Sequence, residues 1–262
     1  MSKIFVSSLW TDSFEPVLSY AKENNYNIEI QIFGSPRVLD TNWQEILKDY
    51  QHKLQGFRGK ISIHGPFVDL KIHSTDRQIR ELTKQRYLQV LDIARELKAE
   101  IVLFHGHLHS LPRAGSEREW AIQRNVDFIS EILSKYNFTI VLENEKEQDP
   151  QVFRAFLDRI NSPRLKICID IGHLNVWAKA PFDEWARVLG NDIIYMHIHD
   201  NNSDYDSHSV PGEGKIDWSN FSATIEKYKI EPNIILEVVG GEKTRKADEF
   251  LKNNMIYPYN RK

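Results

Sequence analysis

The stretch STDRQIRELTKQRYLQVLDIARELKAEIVLFH, residues 74–105, contains the two kinds of segment that recur along the chain. Apolar side chains fall near one face of a helix over residues 74–100, and they are Leu82, Leu88, Leu91 and Ile93. Ser74 or Thr75 is the predicted N-cap of this helix. The next run, EIVLFH at 100–105, is short, apolar and β-branched, which is typical of a strand buried on both faces.

The same alternation extends over the whole chain. Predicted strands lie at residues 3–8, 27–33, 60–64, 100–105, 138–144, 165–170, 192–199 and 233–239. Further predicted helices lie near 12–24, 41–55, 117–136, 149–161, 182–190, 217–228 and 243–253. Eight strand–helix units predict an α/β protein with a (β/α)8 barrel, in a single domain over residues 1–262. A doubly wound sheet is the alternative, but FVSSLW at 5–10 lacks its glycine-rich phosphate turn.

The composition is that of an ordinary globular protein, with 41% hydrophobic and 27% charged residues. The formal net charge of −3, without a lysine or arginine run, argues against a broad nucleic-acid surface. A single cysteine, Cys168, excludes a disulfide framework and fits a reducing compartment. Neither a signal peptide nor a membrane-length apolar run is found. We expect a cytoplasmic protein without membrane contact, and no protein partner is indicated.

Ligand-type side chains gather at the ends of the predicted strands. Of the ten histidines, eight lie there, namely His64, His105, His107, His109, His173, His197, His199 and His208. Glu143, Asp170 and Glu237 end three further apolar runs. In a barrel the carboxyl ends of the strands converge at one mouth, where enzymes of this architecture keep their chemistry. A single histidine at a strand end is more often structural, but so many together favour a shared site.

A metal ion is the most economical partner for these carboxylates. A carboxylate on a buried strand end costs several kcal/mol unless it is paired, and lysine and arginine are nearly absent from these ends. Mixed histidine and carboxylate ligands without cysteine suit Zn²⁺, Mn²⁺ or Fe²⁺. The motifs DIGH at 170–173 and DSH at 206–208 each place two ligand types close together.

Other side chains carry weaker predictions. His107, His109 and His199 are candidates for substrate contacts, for partners of ligands, or for exposed positions. PGEG at 211–214, with Glu213, is predicted as a turn before a helix near Ile216, and its backbone amides could also contact a ligand. Four tryptophans are candidates for lining a pocket or for partial core, namely Trp10, Trp43, Trp177 and Trp218.

Together these motifs resemble a known superfamily. SIHGPF, FHGH, LEN, DIGH, HIHD, DSHSVPGEG and LE, in this order between residues 62 and 237, are similar to the xylose-isomerase-like TIM barrels. That superfamily contains sugar isomerases and epimerases as well as endonuclease IV. The resemblance implies one central divalent ion, held by residues that match Glu143, Asp170, His197 and Glu237. In the sugar enzymes the two glutamates pass a proton while the ion polarises the carbonyl and the hydroxyl.

The resemblance to endonuclease IV implies two further ions. One would be bound by His64, His105 and a bridging Glu143, and the other by the residues that match its third site, His173, Asp206 and His208. Arg37, in QIFGSPR at 31–37, matches the arginine that enters DNA. Phe67 and Val68 stand where that enzyme inserts a tyrosine and a leucine.

Other segments look more like the sugar-isomerase branch. They are the loop DNNSDYDSH at 200–208, which carries no lysine or arginine, PGEGKIDW at 211–218, and IEIQ at 28–31 with Glu29.

Two functions follow as expectations. The first is a metal-dependent hydrolase with an endonuclease-IV-like site of up to three ions, foremost Zn²⁺ with Mn²⁺, Fe²⁺ or Mg²⁺ as alternatives, that cleaves a phosphoester such as abasic-site DNA. The second is a sugar or sugar-phosphate isomerase or epimerase with one ion and Glu143 and Glu237 as its acid–base pair. A non-catalytic metal-binding barrel is the third. The expected substrate-binding residues are Arg37, Phe67, His107, His199 and Glu213.

Overall fold

The strands and helices alternate along the chain and form a closed barrel. The computed structural model describes residues 2–8 and 14–260. The strands are β1 (Ile4–Ser7), β2 (Asn27–Ile30), β3 (Ile61–His64), β4 (Ile101–His105), β5 (Thr139–Glu143), β6 (Leu165–Asp170), β7 (Ile193–Ile198) and β8 (Asn233–Leu236). They pair in parallel in chain order, and β8 pairs with β1, so that the sheet has no free edge. The predicted (β/α)8 barrel is confirmed.

Helices connect successive strands. In the described residues they are α1 (Glu15–Asn24), α2 (Pro36–Asp40), α3 (Trp43–Lys53), α4 (Arg77–Glu96), α5 (Gly115–Lys135), α6 (Gln151–Ile160), α7 (Ile171–Trp177), α8 (Phe182–Leu189), α9 (Trp218–Tyr228) and α10 (Gly241–Asn253). None of these helices is long and apolar enough to cross a membrane. The sequence patterns did not predict α2 or α7, and strand β2 ends earlier than expected because residues 32–34 form a 3₁₀ turn.

The predicted cap and buried face of α4 were partly wrong. Asp76 is the N-cap, and its carboxylate accepts hydrogen bonds from the backbone N–H groups of Gln78 and Ile79. Leu82 is 47% exposed, because it lies on the solvent side of the helix. The residues of α4 that are buried are Thr83, Tyr87, Val90, Leu91, Ile93 and Ala94.

A separate apolar cluster fills the interior of the barrel. Its members are Phe5, Ile101, Leu103, Val141, Cys168, Tyr195 and Ile235. Because successive side chains of a strand point to opposite faces, the residue two positions further along points into the barrel as well. On five strands that next residue is a histidine or a carboxylate, which gives the pairs Leu103/His105, Val141/Glu143, Cys168/Asp170, Tyr195/His197 and Ile235/Glu237. The barrel therefore has an apolar floor and a layer of ligand-type side chains at its carboxyl end.

A buried carboxylate ties the C-terminal segment to the first strand–helix unit. Asp248 of α10 is fully buried and accepts hydrogen bonds from Tyr20 (2.7 Å) and Tyr26 (3.0 Å), and from Tyr259. Lys252 Nζ lies 2.7 Å from the same carboxylate. Burial and the bond to Asp248 raise the pKa of Tyr20 above its ordinary value, so that its phenol remains a donor.

Replacing this carboxylate should destabilise the barrel. We expect Asp248→Ala to lower the free energy of unfolding by about 3 kcal/mol, because three phenols and an ammonium lose a buried partner. The exposed neighbour provides the control, Glu249→Ala, which should change it by less than about 0.5 kcal/mol. Urea denaturation followed by circular dichroism measures both, and equal stability of the two variants would contradict the assignment.

Candidate active site

Four ligand-type side chains converge at the carboxyl end of the barrel. Glu143 and Asp170 end β5 and β6, His197 is the last residue but one of β7, and Glu237 follows β8. One ligand atom of each of these four residues lies within 4.8 Å of the others. His197 Nδ1 is 2.9 Å from Glu143 Oε1, 3.0 Å from Glu237 Oε2 and 3.7 Å from Asp170 Oδ2. These are the four residues that the resemblance implied for a central ion, and all four are buried.

A fourth carboxylate orients the central imidazole. His197 Nε2 lies 3.2 Å from Glu29 Oε1 on β2, on the other side of the ring from the ligand group. Gln31 Nε2 donates to Glu29 Oε1 at 2.8 Å and to Glu237 Oε1 at 2.6 Å. When Nε2–H donates to Glu29, the lone pair of Nδ1 points at the other carboxylates, as in carboxylate–histidine–metal arrangements. The sequence analysis did not predict this role of Glu29 and Gln31. Glu29 could have been recognised as a candidate, because it is a carboxylate within a short apolar strand.

Two more histidines face the second oxygen of Glu143. His105 Nε2 lies 3.0 Å and His64 Nε2 lies 3.4 Å from Glu143 Oε2. This oxygen is buried and accepts no hydrogen bond from any described residue. One ligand atom from each of the three residues falls within 4.8 Å of the others. The structure thus brings together the group that the resemblance implied for a first additional ion.

The group implied for a third ion meets at Asp206. Its Oδ2 lies 3.2 Å from His173 Nε2 and 3.0 Å from His208 Nε2. Among the described residues, His208 has ligand atoms within 4.8 Å of those of His199 and Glu237. In the same part of the chain that the structure describes, His173 and Asp206 belong to no group of three or more ligand atoms at this spacing. The third set is therefore more open than the other two.

The imidazole rings are held in the form that a metal ion requires. His64 Nδ1 lies 2.8 Å from Gly65 O, His173 Nδ1 2.8 Å from Asn144 O, and His208 Nδ1 3.0 Å from Glu237 O. A backbone carbonyl only accepts, so each Nδ1 carries the proton. In the neutral form of each ring the unprotonated Nε2 atom then faces a carboxylate oxygen, an arrangement that needs a cation or an extra proton between the two atoms. A divalent ion fits this donor set.

The pKa values follow the same charge pattern. Burial raises the pKa of Glu143, but His197 and His105 lower it to well below its usual range. Burial lowers the pKa of His105, while Glu143 raises it to a net value of about 9. For His208 burial acts in the same direction, and Asp206 raises its pKa to about 9. The carboxylates thus favour positive charge on the imidazoles, which is the charge that a bound cation supplies when it displaces these protons.

Asp200 shapes the loop that carries Asp206 and His208. Its backbone pairs with Ser209 at 2.8 and 2.9 Å, which closes residues 201–208 into a loop over the site. The buried carboxylate of Asp200 accepts from Gly212 N at 2.8 Å and from Trp218 Nε1 at 2.9 Å. A Cβ on Gly214 would lie 2.3 Å from Asp200 Oδ1, so that this close approach requires glycine. Helix α9 begins after Asp217, which accepts from Asn220 N, slightly later than predicted.

His199 contacts two of the predicted ligands, Asp170 and His208. It is fully buried, its Nε2 lies 3.0 Å from Asp170 Oδ2, and its ring stacks on His208 with centroids 4.1 Å apart. The other oxygen of Asp170 accepts from His173 N at 2.7 Å and so caps α7. Gly172 makes room for the ring, because a Cβ there would lie 1.9 Å from His199 Cε1. The structure places His199 in contact with the predicted ligand Asp170 rather than in the cavity lining.

A cavity of about 640 Å³ opens above the ligands. Of the predicted substrate-binding residues, Arg37 and Phe67 line it, as do Lys146 and Trp177. Phe67 stacks on His105 with ring centroids 4.5 Å apart. His107 lies instead beside Glu145, and Glu213 is exposed on the turn before α9. Among the other tryptophans, Trp43 packs against the core, Trp218 is buried and Trp10 lies outside the described residues.

Comparison with known proteins shows relatives of the same architecture. The uncharacterized protein MJ1311 of Methanocaldococcus jannaschii is 29% identical over 246 residues, which cover 87% of this chain and 78% of the relative. A solved D-tagatose 3-epimerase-like protein is 26% identical, with a TM-score of 0.74 and coverage of 97% of each chain.

A further solved structure, the TTHB071 protein from Thermus thermophilus soaked with ZnCl₂, is 23% identical. Its TM-score is 0.75, with coverage of 96% of this chain and 97% of the other, and at this identity the likeness shows the fold alone. The family model described as xylose isomerase-like TIM barrel matches residues 18–254. The chain therefore belongs to the xylose isomerase-like TIM barrel family, as its strand-end motifs predicted.

Proposed function

We propose that the protein is a metal-dependent isomerase or epimerase of a small sugar. The observation that carries the proposal is the pair of buried carboxylates, Glu143 and Glu237, which both lie within 3.0 Å of His197 Nδ1 beneath one cavity. A cavity of about 640 Å³ is within the usual range for enclosing a small molecule. The 26% identity to a D-tagatose 3-epimerase-like protein supports this function over hydrolysis.

The residues supply the acid–base groups that such a reaction needs. A divalent ion held by Glu143, Asp170, His197 and Glu237 would polarise the carbonyl and hydroxyl of the sugar. Burial raises the pKa of Glu237, but His197 lowers it to a net value below the usual range, and the same holds for Glu143. Both are therefore carboxylates at neutral pH and able to accept a proton from a carbon beside a carbonyl.

The two glutamates differ in how they are held. Gln31 Nε2 donates to Glu237 Oε1, which fixes that carboxylate. Glu143 Oε2 accepts no hydrogen bond from the described residues. Phe67 and Trp177 offer apolar faces to a sugar ring, whereas the loop at 200–208 contains no lysine or arginine that could contact a DNA backbone. These features favour a small substrate.

Removing either carboxylate should abolish proton transfer. We expect Glu143→Gln and Glu237→Gln each to lower kcat on the preferred ketose by about 100-fold or more, because general acid–base catalysis typically contributes that much. The measurement is turnover of a ketose panel in D₂O, with deuterium incorporation followed by NMR. Metal removal with a chelator should abolish both signals.

The control for these variants is Glu242→Gln, which changes an exposed glutamate paired with Lys246 and should leave kcat unchanged. Wild-type protein that turns over no sugar but cleaves an abasic-site duplex would contradict the proposal. Sugar turnover without deuterium incorporation would contradict the roles of the two glutamates.

Phosphoester hydrolysis remains a second candidate because of one specific observation. His64 and His105 both face Glu143 Oε2, and His173 and His208 both face Asp206 Oδ2. These are the residue sets that the resemblance to endonuclease IV implies for two further ions. Three clustered cations would generate a hydroxide and neutralise a phosphodiester.

His208→Ala separates the two functions. If three ions hydrolyse a phosphoester, this variant should lose one ion per chain and about 100-fold or more of the cleavage rate, since its Nε2 is one of the donors around Asp206. If a single ion serves sugar chemistry, the ion held by Glu143, Asp170, His197 and Glu237 should remain. Elemental analysis of purified protein gives the count, and His52→Ala, on an exposed face of α3, is the matched control.

Arg37 tests whether the sugar is phosphorylated. Arg37 and Lys146 are the lysine or arginine side chains in the cavity lining, and Arg37 makes no ion pair with any described residue. We expect Arg37→Met to raise KM for a sugar phosphate about 10-fold while KM for the free sugar changes little, because a charged hydrogen bond is lost only with the former. Arg58→Met, at the opposite end of the barrel before β3, is the control. Equal effects on both substrates would exclude a phosphate contact.

A further inference from the structure

A second group of ligand-type side chains lies beside the buried centre, on the loops after β4 and β5. His107 Nδ1 is 3.2 Å and His109 Nδ1 is 3.6 Å from the same oxygen, Glu145 Oε2. This oxygen is buried and makes no hydrogen bond with any described residue. Donor atoms of one tetrahedral zinc ion, each about 2.1 Å from the metal, lie about 3.4 Å apart. The two contacts therefore have the spacing of metal ligands rather than that of good hydrogen bonds.

His105 lies between this group and the buried centre. Its Nε2 faces Glu143 at 3.0 Å, while its Nδ1 lies 3.9 Å from Glu145 Oε2. The Nδ1 atom is buried and finds no hydrogen-bond partner in the described part of the chain. A buried polar atom without a partner lowers the stability of the fold. Because His105 Nδ1 faces Glu145, a ligand bound beside Glu145 could supply the missing partner.

Glu147 connects the loop after β4 to the loop after β5. Its Oε1 accepts from His109 N at 2.8 Å and its Oε2 accepts from Glu145 N at 2.7 Å. Ser110 Oγ donates to His107 O at 2.7 Å. Both oxygens of Glu147 thus accept hydrogen bonds from backbone N–H groups. Glu147 therefore positions the loops, and the side chains that could bind a metal ion are His107, His109 and Glu145.

We propose that His107, His109 and Glu145 bind a divalent transition-metal ion such as Zn²⁺ at a peripheral site that is separate from the nine predicted ligands at the barrel mouth. Imidazole and carboxylate donors without a thiol suit such ions.

The geometry also determines how tightly this peripheral site binds its ion. The side chains of His107, His109 and Glu145 are 15%, 25% and 17% exposed, so water reaches the ion. The two imidazole centroids are 6.2 Å apart, whereas two rings on one tetrahedral ion lie about 5 Å apart. The rings must turn toward each other on binding, and the site therefore binds more weakly than the buried centre and exchanges its ion.

Zinc titration of the full-length protein tests this site. We use holoprotein with its tightly held ions in place, titrate Zn²⁺ against a chromophoric chelator, and compare the wild type with the double variant His107→Gln/His109→Gln and with Glu145→Gln. The wild type should bind one weakly held ion that both variants lose, or bind at least 10-fold more weakly, while the tightly held ions remain. The matched control is His52→Gln on the exposed face of α3, which should titrate as the wild type.

The outcomes are independent of catalysis. Circular dichroism and thermal melting show whether each variant is folded, and the conservative Glu145→Gln keeps the test valid if the double variant is not. A wild type that binds no ion beyond the tightly held ones, or variants that keep the weakly held ion, would overturn the proposal. Because the readout is weak zinc binding, failure here leaves the sugar reaction untouched, and failure of that reaction leaves this site untouched.

Discussion

The burial of four carboxylates around one imidazole is the constraint on which the rest of the site depends. Glu29, Glu143, Asp170 and Glu237 are at most 4% exposed, and His197 lies within 3.7 Å of each of them. Removing so many like charges from water costs several kcal/mol per ion unless positive charge accompanies them. A closed barrel provides the rigid frame that can hold such a group, because its strands have no free edge along which they could relax. The same charge that opposes folding creates an affinity for a divalent cation.

The buried carboxylates of the described chain fall into two kinds. Asp200, Glu147 and Asp248 are satisfied by backbone N–H groups, an indole or phenols, and they hold loops and the C-terminal segment in place. The carboxylates at the barrel mouth each have at least one oxygen that faces imidazole nitrogens, and Glu143 Oε2 accepts no hydrogen bond from the described residues. The first kind holds the structure in place, and the second kind is the one for which we propose metal binding and proton transfer. The distinction depends on the donors around each carboxylate, since residue type and burial are alike in both.

The predicted ligands at the barrel mouth are compatible with both sugar isomerisation and phosphoester hydrolysis. The choice of substrate therefore depends on the side chains that line the cavity above them. The four central residues are those that the resemblance assigns to both sugar isomerases and endonuclease IV. Among the described residues the cavity lining contains aromatic side chains, one arginine and one lysine, Arg37 and Lys146, and the loop at 200–208 adds acidic residues. These surroundings are the reason why we propose a small sugar rather than a DNA duplex as the substrate.

The sequence by itself determined the eight strands, the barrel and the positions of the candidate ligands, because strand length, apolar runs and the polar residue at a strand end are local properties. Local patterns misplaced the cap of α4 and did not predict α7, where Asp170 acts as a cap as well as a candidate ligand. Only the tertiary structure decided which side chains share an oxygen. His197 meets Glu29 across 168 positions of the chain, and Gln31 meets Glu237 across 206. No local pattern encodes such pairs, since the closure of the barrel alone brings strands β2, β7 and β8 to one mouth.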